Sequence, residues 1–211
     1  DFSNCQSLTE LTLPEGLIGI SGWAFNGSVI QSLHLPASLV DVTADTFFGM
    51  QMDSLTVSED NPYYWMDGDF LMKRGNQETT LCYALRAEGT VELPEDTTVI
   101  GKGVFVDRKN LQEIILPEQL KTIEMMAFSG CTALETVKWN AALEEIGDHA
   151  FFTCRSLKEA ILPKSLRTLG KSAFEGSGVE TVSLPEGLTA ISDACFYGCD
   201  QLKHVELPET L

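Results

Sequence analysis

Residues 161–211 read ILPKSLRTLGKSAFEGSGVETVSLPEGLTAISDACFYGCDQLKHVELPETL. One phrase occurs twice and begins a third time: LPKSLRTLGKSAF from Leu162, LPEGLTAISDACF from Leu184, LPETL from Leu207. Between the phrases stand ETVSL and KHVEL, in which polar and apolar residues alternate. Such alternation marks a strand with one buried face. Strand plus turn at a fixed recurrence points to a stack of equivalent units rather than one closed core.

The phrase runs back through the chain. Aligned on the residue after the apolar pair, its slots are Pro14, Pro36, Ser58, Pro94, Pro117, Asn140, Pro163, Pro185 and Pro208. Successive slots lie 22, 22, 36, 23, 23, 23, 22 and 23 residues apart. Three residues on stand Leu17, Leu39, Leu120, Leu143, Leu166 and Leu188, with Thr97 breaking the column. Six on stand Ile20, Val42, Ile100, Ile123, Ile146, Leu169 and Ile191. An Ala-Phe pair or a relative follows, giving the column Phe25, Phe47, Phe105, Phe128, Phe151, Phe174 and Phe196.

A unit of about 23 residues cannot bury enough apolar surface to offset roughly 1–2 kcal/mol of ordering cost per residue. Stacked units share faces and hydrogen bonds, so the array folds where the unit does not. Every unit has the same direction, so the strands are parallel, and parallel crossovers are right-handed. Nine strands are expected, near residues 10–13, 32–35, 54–57, 90–93, 113–116, 136–139, 159–162, 181–184 and 204–207, forming a parallel sheet on one face. Short helical or irregular segments return the chain. The Phe column is expected to stack inside.

The period and the pattern LPxxLxxIxxxAFxxCxxLxxVxLP resemble the BspA-like leucine-rich repeat family, as does the NPYYWMDGDF segment inside residues 58–93. The resemblance spans nearly the whole chain. It implies a leucine-rich repeat solenoid over residues 1–211, and a bacterial cell-surface or secreted, extracellular protein with adhesive roles. Phe2 and Leu211 occupy repeat slots at the two ends, so the chain reads as a fragment of a longer protein.

Composition narrows the partners. The chain carries 31 acidic and 14 basic residues, a net charge of −17. That surface repels phosphate backbones and anionic bilayers, so neither nucleic acid nor a membrane surface is an expected partner. No apolar run approaches the roughly 18 residues of a spanning helix.

Candidate catalytic and metal-binding groups are scattered. Cys131, Cys154 and Cys199 share one slot, and Cys5 fits it too, so they read as small buried turn residues rather than a disulfide framework. Cys195 takes an alanine slot, and Cys82 stands alone. No CxxC or paired-His spacing suggests a metal site. His34, His149 and His204 share no local motif with a nucleophile. Glu59, Asp60, Asp67 and Asp69 offer carboxylates for calcium, but without the spacing of a known loop; an acidic hairpin is the plainer reading. The expectation is no enzyme, no catalytic residue, no metal and no cofactor.

What remains is a surface. Side chains alternate across a strand, so the outward face includes Glu113/Ile115, Thr136/Lys138 and Glu159/Ile161. These six are candidate partner-binding residues, and the partner is a protein or glycan ligand. Trp139 falls in the inward column and reads as core. The second candidate is the insertion, residues 58–93, where the period lengthens to 36. Asp67-Gly68 signals a tight turn. Tyr63, Tyr64, Trp65 and Phe70 either plug the gap left by the missing Ala-Phe pair or display a ring, Tyr64 or Trp65, to a partner. The expected function is an extracellular protein-interaction or adhesion module; the alternative is a structural spacer with no partner of its own.

Overall fold

A computed structural model describes residues 2–43 and 45–211. The chain divides into two compact units, Asp1–Arg86 and Ala87–Leu211. The first unit holds β1 (Gly19–Ile20), β2 (Ser32–Leu35), β3 (Asp41–Val42), β4 (Ser54–Val57), β5 (Tyr64–Asp67), β6 (Phe70–Arg74) and β7 (Thr79–Ala84). The second holds β8 (Gly89–Glu92), β9 (Val99–Ile100), β10 (Leu111–Ile115), β11 (Thr122–Ile123), β12 (Thr136–Lys138), β13 (Glu145–Ile146), β14 (Glu159–Ile161), β15 (Thr168–Leu169), β16 (Thr181–Ser183) and β17 (His204–Glu206).

Both units are built as a β-solenoid. Eight of the nine expected strands form, as β2, β4, β8, β10, β12, β14, β16 and β17, and they pair in parallel, in phase with the repeat. Near residue 10 only an isolated bridge, Glu10 to Ser32, is made. Leu11 and Leu13 stay half-buried there, so little packing backs a longer ladder. The front strands also fall into separate sheets, β2–β4, β8–β10–β12 and β14–β16–β17, rather than one.

On the return side the non-helical of the two expected alternatives is found: the described residues contain no helix. Each LPxxL is a turn in which the leucine amide donates to the proline carbonyl, as in Leu120 to Pro117 at 3.1 Å and Leu188 to Pro185 at 3.0 Å. The apolar residue three further on then forms a two-residue strand. These stack into a second parallel ladder, β1–β3 in the first unit and β9–β11–β13–β15 in the second. A segment too short for one helical turn satisfies its amides by pairing with the next repeat instead.

The repeats of the second unit then turn through two left-handed residues around their Phe. In the second unit, Gly103, Met126, His149, Ser172 and Ala194 come first, with φ of 53–61°. Two residues past the Phe come Asp107, Gly130, Thr153, Gly176 and Gly198, with φ of 56–76°. That double bend drives the ring inward. Phe105, Phe128, Phe151 and Phe174 are fully buried and stack with centroids 5.0–5.1 Å apart and nearly parallel planes. Phe196 continues the stack at 5.6 Å but is only half-buried.

In the cysteine slot Cys131 and Cys154 are buried turn residues as expected, whereas Cys199 is half-buried and Cys5 is exposed, against expectation. The Sγ atoms of Cys131, Cys154 and Cys199 reach the carbonyls of Phe105, Phe128 and Phe174 at 3.0, 3.2 and 3.1 Å. All six cysteines are free thiols.

Candidate functional site

The outward residues of the second unit's front ladders stand in register. Across β8, β10 and β12 the rungs are Thr90–Glu113–Thr136 and Glu92–Ile115–Lys138. Across β14, β16 and β17 they are Glu159–Thr181–His204 and Ile161–Ser183–Glu206. The sequence-derived candidates thus fall on two ladders, Glu113, Ile115, Thr136 and Lys138 on the first and Glu159 and Ile161 on the second: Glu113, Ile115 and Thr136 are half-buried, whereas Lys138, Glu159 and Ile161 are exposed, the last at 46%.

Some charges on this face are already matched between neighbouring strands. Glu113 accepts from Thr90 Oγ1 at 3.2 Å and lies 3.6 Å from Lys138 Nζ. Glu180 sits between Lys203 at 2.6 Å and Lys158 at 3.5 Å. The Lys203 hydrogen bond holds the Glu180 carboxyl below its usual range. Such exposed pairs set orientation more than stability. Glu92, Glu95, Glu118, Glu135 and Glu159 have no ion-pair partner among the described residues.

Two of the clefts on this unit open at its front strands. The larger, about 470 Å³, lies at the turn end of β8 and β10 and is lined by Glu92, Leu93, Glu95, Ile115, Leu116, Pro117, Glu118 and Gln119. The other, about 300 Å³, lies between β12 and β14 and is lined by Glu135, Thr136, Val137, Trp139, Lys158, Glu159 and Ile161. These are the strands at which one front sheet ends and the next begins. Trp139 was expected in the core. It is half-buried, with its ring edge-on to Phe151 at 5.5 Å and part of the indole lining the cleft. The sequence carried a signal for it: Trp139-Asn140 replaces the Leu-Pro of other repeats. The amide of Asn140 rebuilds the turn, with Nδ2 donating to the carbonyls of Pro117 and Leu120 and Oδ1 accepting from the Leu143 amide at 3.0 Å.

Of the insertion's expected aromatics Tyr64 packs in the core, while the Phe slot itself is filled from outside the expected set. The insertion is a three-stranded antiparallel meander, β5–β6–β7, more than a hairpin. Gly68, at φ 56°, makes the two-residue turn from Asp67 to Phe70. The missing Phe is supplied by Tyr83, which packs on Phe47 at 5.7 Å. Its hydroxyl accepts from the Met52 amide at 3.0 Å and donates to the Met50 carbonyl at 3.2 Å. Tyr64, a candidate display residue, is only 1% exposed, and its hydroxyl accepts from the Val42 amide at 3.0 Å. Burial raises its phenol above the ordinary value. It is a core residue because the antiparallel pairing turns it inward, beneath Lys73. Trp65 is half-buried, with the Arg74 guanidinium 5.4 Å from its ring. Tyr63 is the more exposed ring, at 44%. Asn61 anchors the entry: Nδ2 donates to the carbonyls of Pro36 and Leu39.

Among the described residues no three His, Cys, Asp or Glu side chains are grouped to hold a metal ion. No described helix is long and apolar enough to cross a membrane. Burial pushes the Cys131 and Cys195 thiols up to about 12 and Cys154 well above its ordinary value, so these sulfurs are protonated and unreactive.

Solved structures share this architecture. A leucine-rich cell surface protein from Faecalibacterium prausnitzii superposes with a TM-score of 0.86 at 22% identity, over 97% of this chain and 61% of that one. The pneumococcal vaccine antigen PcpA gives 0.77 at 22% identity, over 92% and 47%. A leucine-rich repeat protein from Bacteroides ovatus gives 0.62 at 26% identity, over 68% and 41%. The chain thus spans about half to three-fifths of the length of the first two. No curated protein sequence matches. The model of the BspA-type leucine-rich repeat region matches residues 1–65 and 82–203, with six copies. With its repeat period, paired ladders and buried Phe stack, the chain belongs to the BspA-type leucine-rich repeat family.

Proposed function

We propose that this chain is a non-enzymatic interaction module of a cell-surface or secreted protein, and that it binds a protein or glycan through the front ladders of the second unit. The observation that carries the reading is a front surface of two ladders, each in rung-by-rung register, that combines half-buried Ile115, exposed Ile161, uncommitted carboxylates and two clefts. Such a surface offers apolar contact and oriented charge without a reactive group. The surface location draws on the family and on the F. prausnitzii protein, which is described as a cell surface protein. Tyr63 and Trp65 are a lesser candidate contact, since the rings most buried in the insertion are structural.

A spacer reading is favoured by one observation: Glu113 and Glu180 are matched within the face itself. Immobilised chain probed with matrix proteins and bacterial glycans separates the two. The interaction reading expects capture that Ile115→Arg/Ile161→Arg abolishes with an unchanged melting temperature. Capture indifferent to that change, or none at all, favours the spacer.

A further inference from the structure

The cleft between β12 and β14 combines groups that no other part of the front face does. The slot filled by Leu116 and Leu162 in adjacent repeats holds the bulkier Trp139, and here β12 and β14 are not paired. The indole is half-buried and Ile161 lies exposed beside it. Glu135 and Glu159 line the same opening, and neither has an ion-pair partner among the described residues. Lys158 does not neutralise them first, because its Nζ lies 3.5 Å from Glu180.

An aromatic wall, an aliphatic side chain and two uncommitted carboxylates suit a flat cation. A guanidinium stacks on an indole and presents paired donors to a carboxylate, whereas an ammonium does only part of this. The net charge of −17 also attracts basic partners over longer range. A cleft of about 300 Å³ has room for one side chain but lies at the floor of the range for larger ligands. Resting on the ladder-face reading above, we propose that this cleft receives an arginine side chain of a protein partner.

The test follows indole N–H signals of the whole chain during titration with N-acetyl-arginine amide, N-acetyl-citrulline amide and methyl β-glucoside. Trp139→Phe identifies the Trp139 signal. The expected result is a saturable Trp139 shift with the arginine amide and a response to citrulline weaker by about ten-fold or more. Glu135→Gln/Glu159→Gln should cause a similar loss with unchanged melting, and high salt should also weaken the response. A Trp139 signal silent to arginine, equally responsive to citrulline, or responsive to the glucoside alone overturns the inference. Ladder-face capture of a partner with Trp139 silent sinks this inference and leaves the interaction reading intact. Failure of capture and a silent Trp139 together sink both.

Discussion

Thr97 occupies the leucine slot of its repeat, fully buried, with its hydroxyl lacking a hydrogen-bond partner. A buried unsatisfied hydroxyl carries a desolvation cost that an apolar isostere avoids. Thr97→Val should therefore stabilise the protein by about 1 kcal/mol, read as a higher urea midpoint at unchanged slope. A lower midpoint would show that the hydroxyl has a partner. Thr153 carries a backbone cost instead. It is β-branched at φ 56°, where Gly130, Gly176 and Gly198 stand in other repeats. Left-handed geometry costs such a residue roughly 1–2 kcal/mol. Thr153→Gly should recover about half of it, offset by the freedom glycine gains when unfolded. A destabilised variant would mean that the Thr153 side chain contributes contacts worth more than the strain. Thr97 was legible in the sequence as a break in a column. The strain at Thr153 was not, because a glycine column shows itself only after the turn geometry is known.

At the scale of elements, the front strands and the Phe stack were legible because both rest on burial at a fixed period. Phe128 lies between Phe105 and Phe151 at 5.0 and 5.1 Å. Phe128→Ala should cost about 3–5 kcal/mol, and Phe196→Ala clearly less, because Phe196 is half-buried. Equal losses in a denaturant titration would show that depth in the stack does not set the cost. The second ladder was not legible. Two residues carry no periodicity, and their pairing is dictated by the stacking of whole repeats. Nor was the role of Tyr83, which fills a Phe slot from inside a segment whose period is broken. Tyr83→Phe keeps the ring but strands the Met52 amide and the Met50 carbonyl. It should cost about 1–3 kcal/mol, against little for Tyr63→Phe at the exposed ring. Matched losses for the two would contradict the structural role of the Tyr83 hydroxyl.

At the scale of the molecule, the buried thiols couple stability to alkaline pH. Cys131 and Cys195 are held at about 12 when folded, against an ordinary 9.0. A folded value above the unfolded one means the stabilisation is complete below about pH 9 and is lost as pH rises toward 12. Urea midpoints should fall across that window, and less steeply for Cys131→Ala than for the parent chain; identical slopes would show that this thiol does not titrate on unfolding. Partner choice was the least legible property. Composition argued against phosphate-rich partners, but the Trp139 cleft arises where two front sheets part, and the spacing of repeats does not reveal where a ladder will break. The central claim is that the second unit binds through its front face. It is tested most directly by comparing partner capture by the parent chain, by Ile115→Arg/Ile161→Arg on the front, and by Thr122→Arg/Thr168→Arg on the return ladder, with melting temperatures measured in parallel. Capture lost only in the front variant, with all three equally stable, is the expected result. Capture lost only in the return variant, or kept by all three, would contradict it.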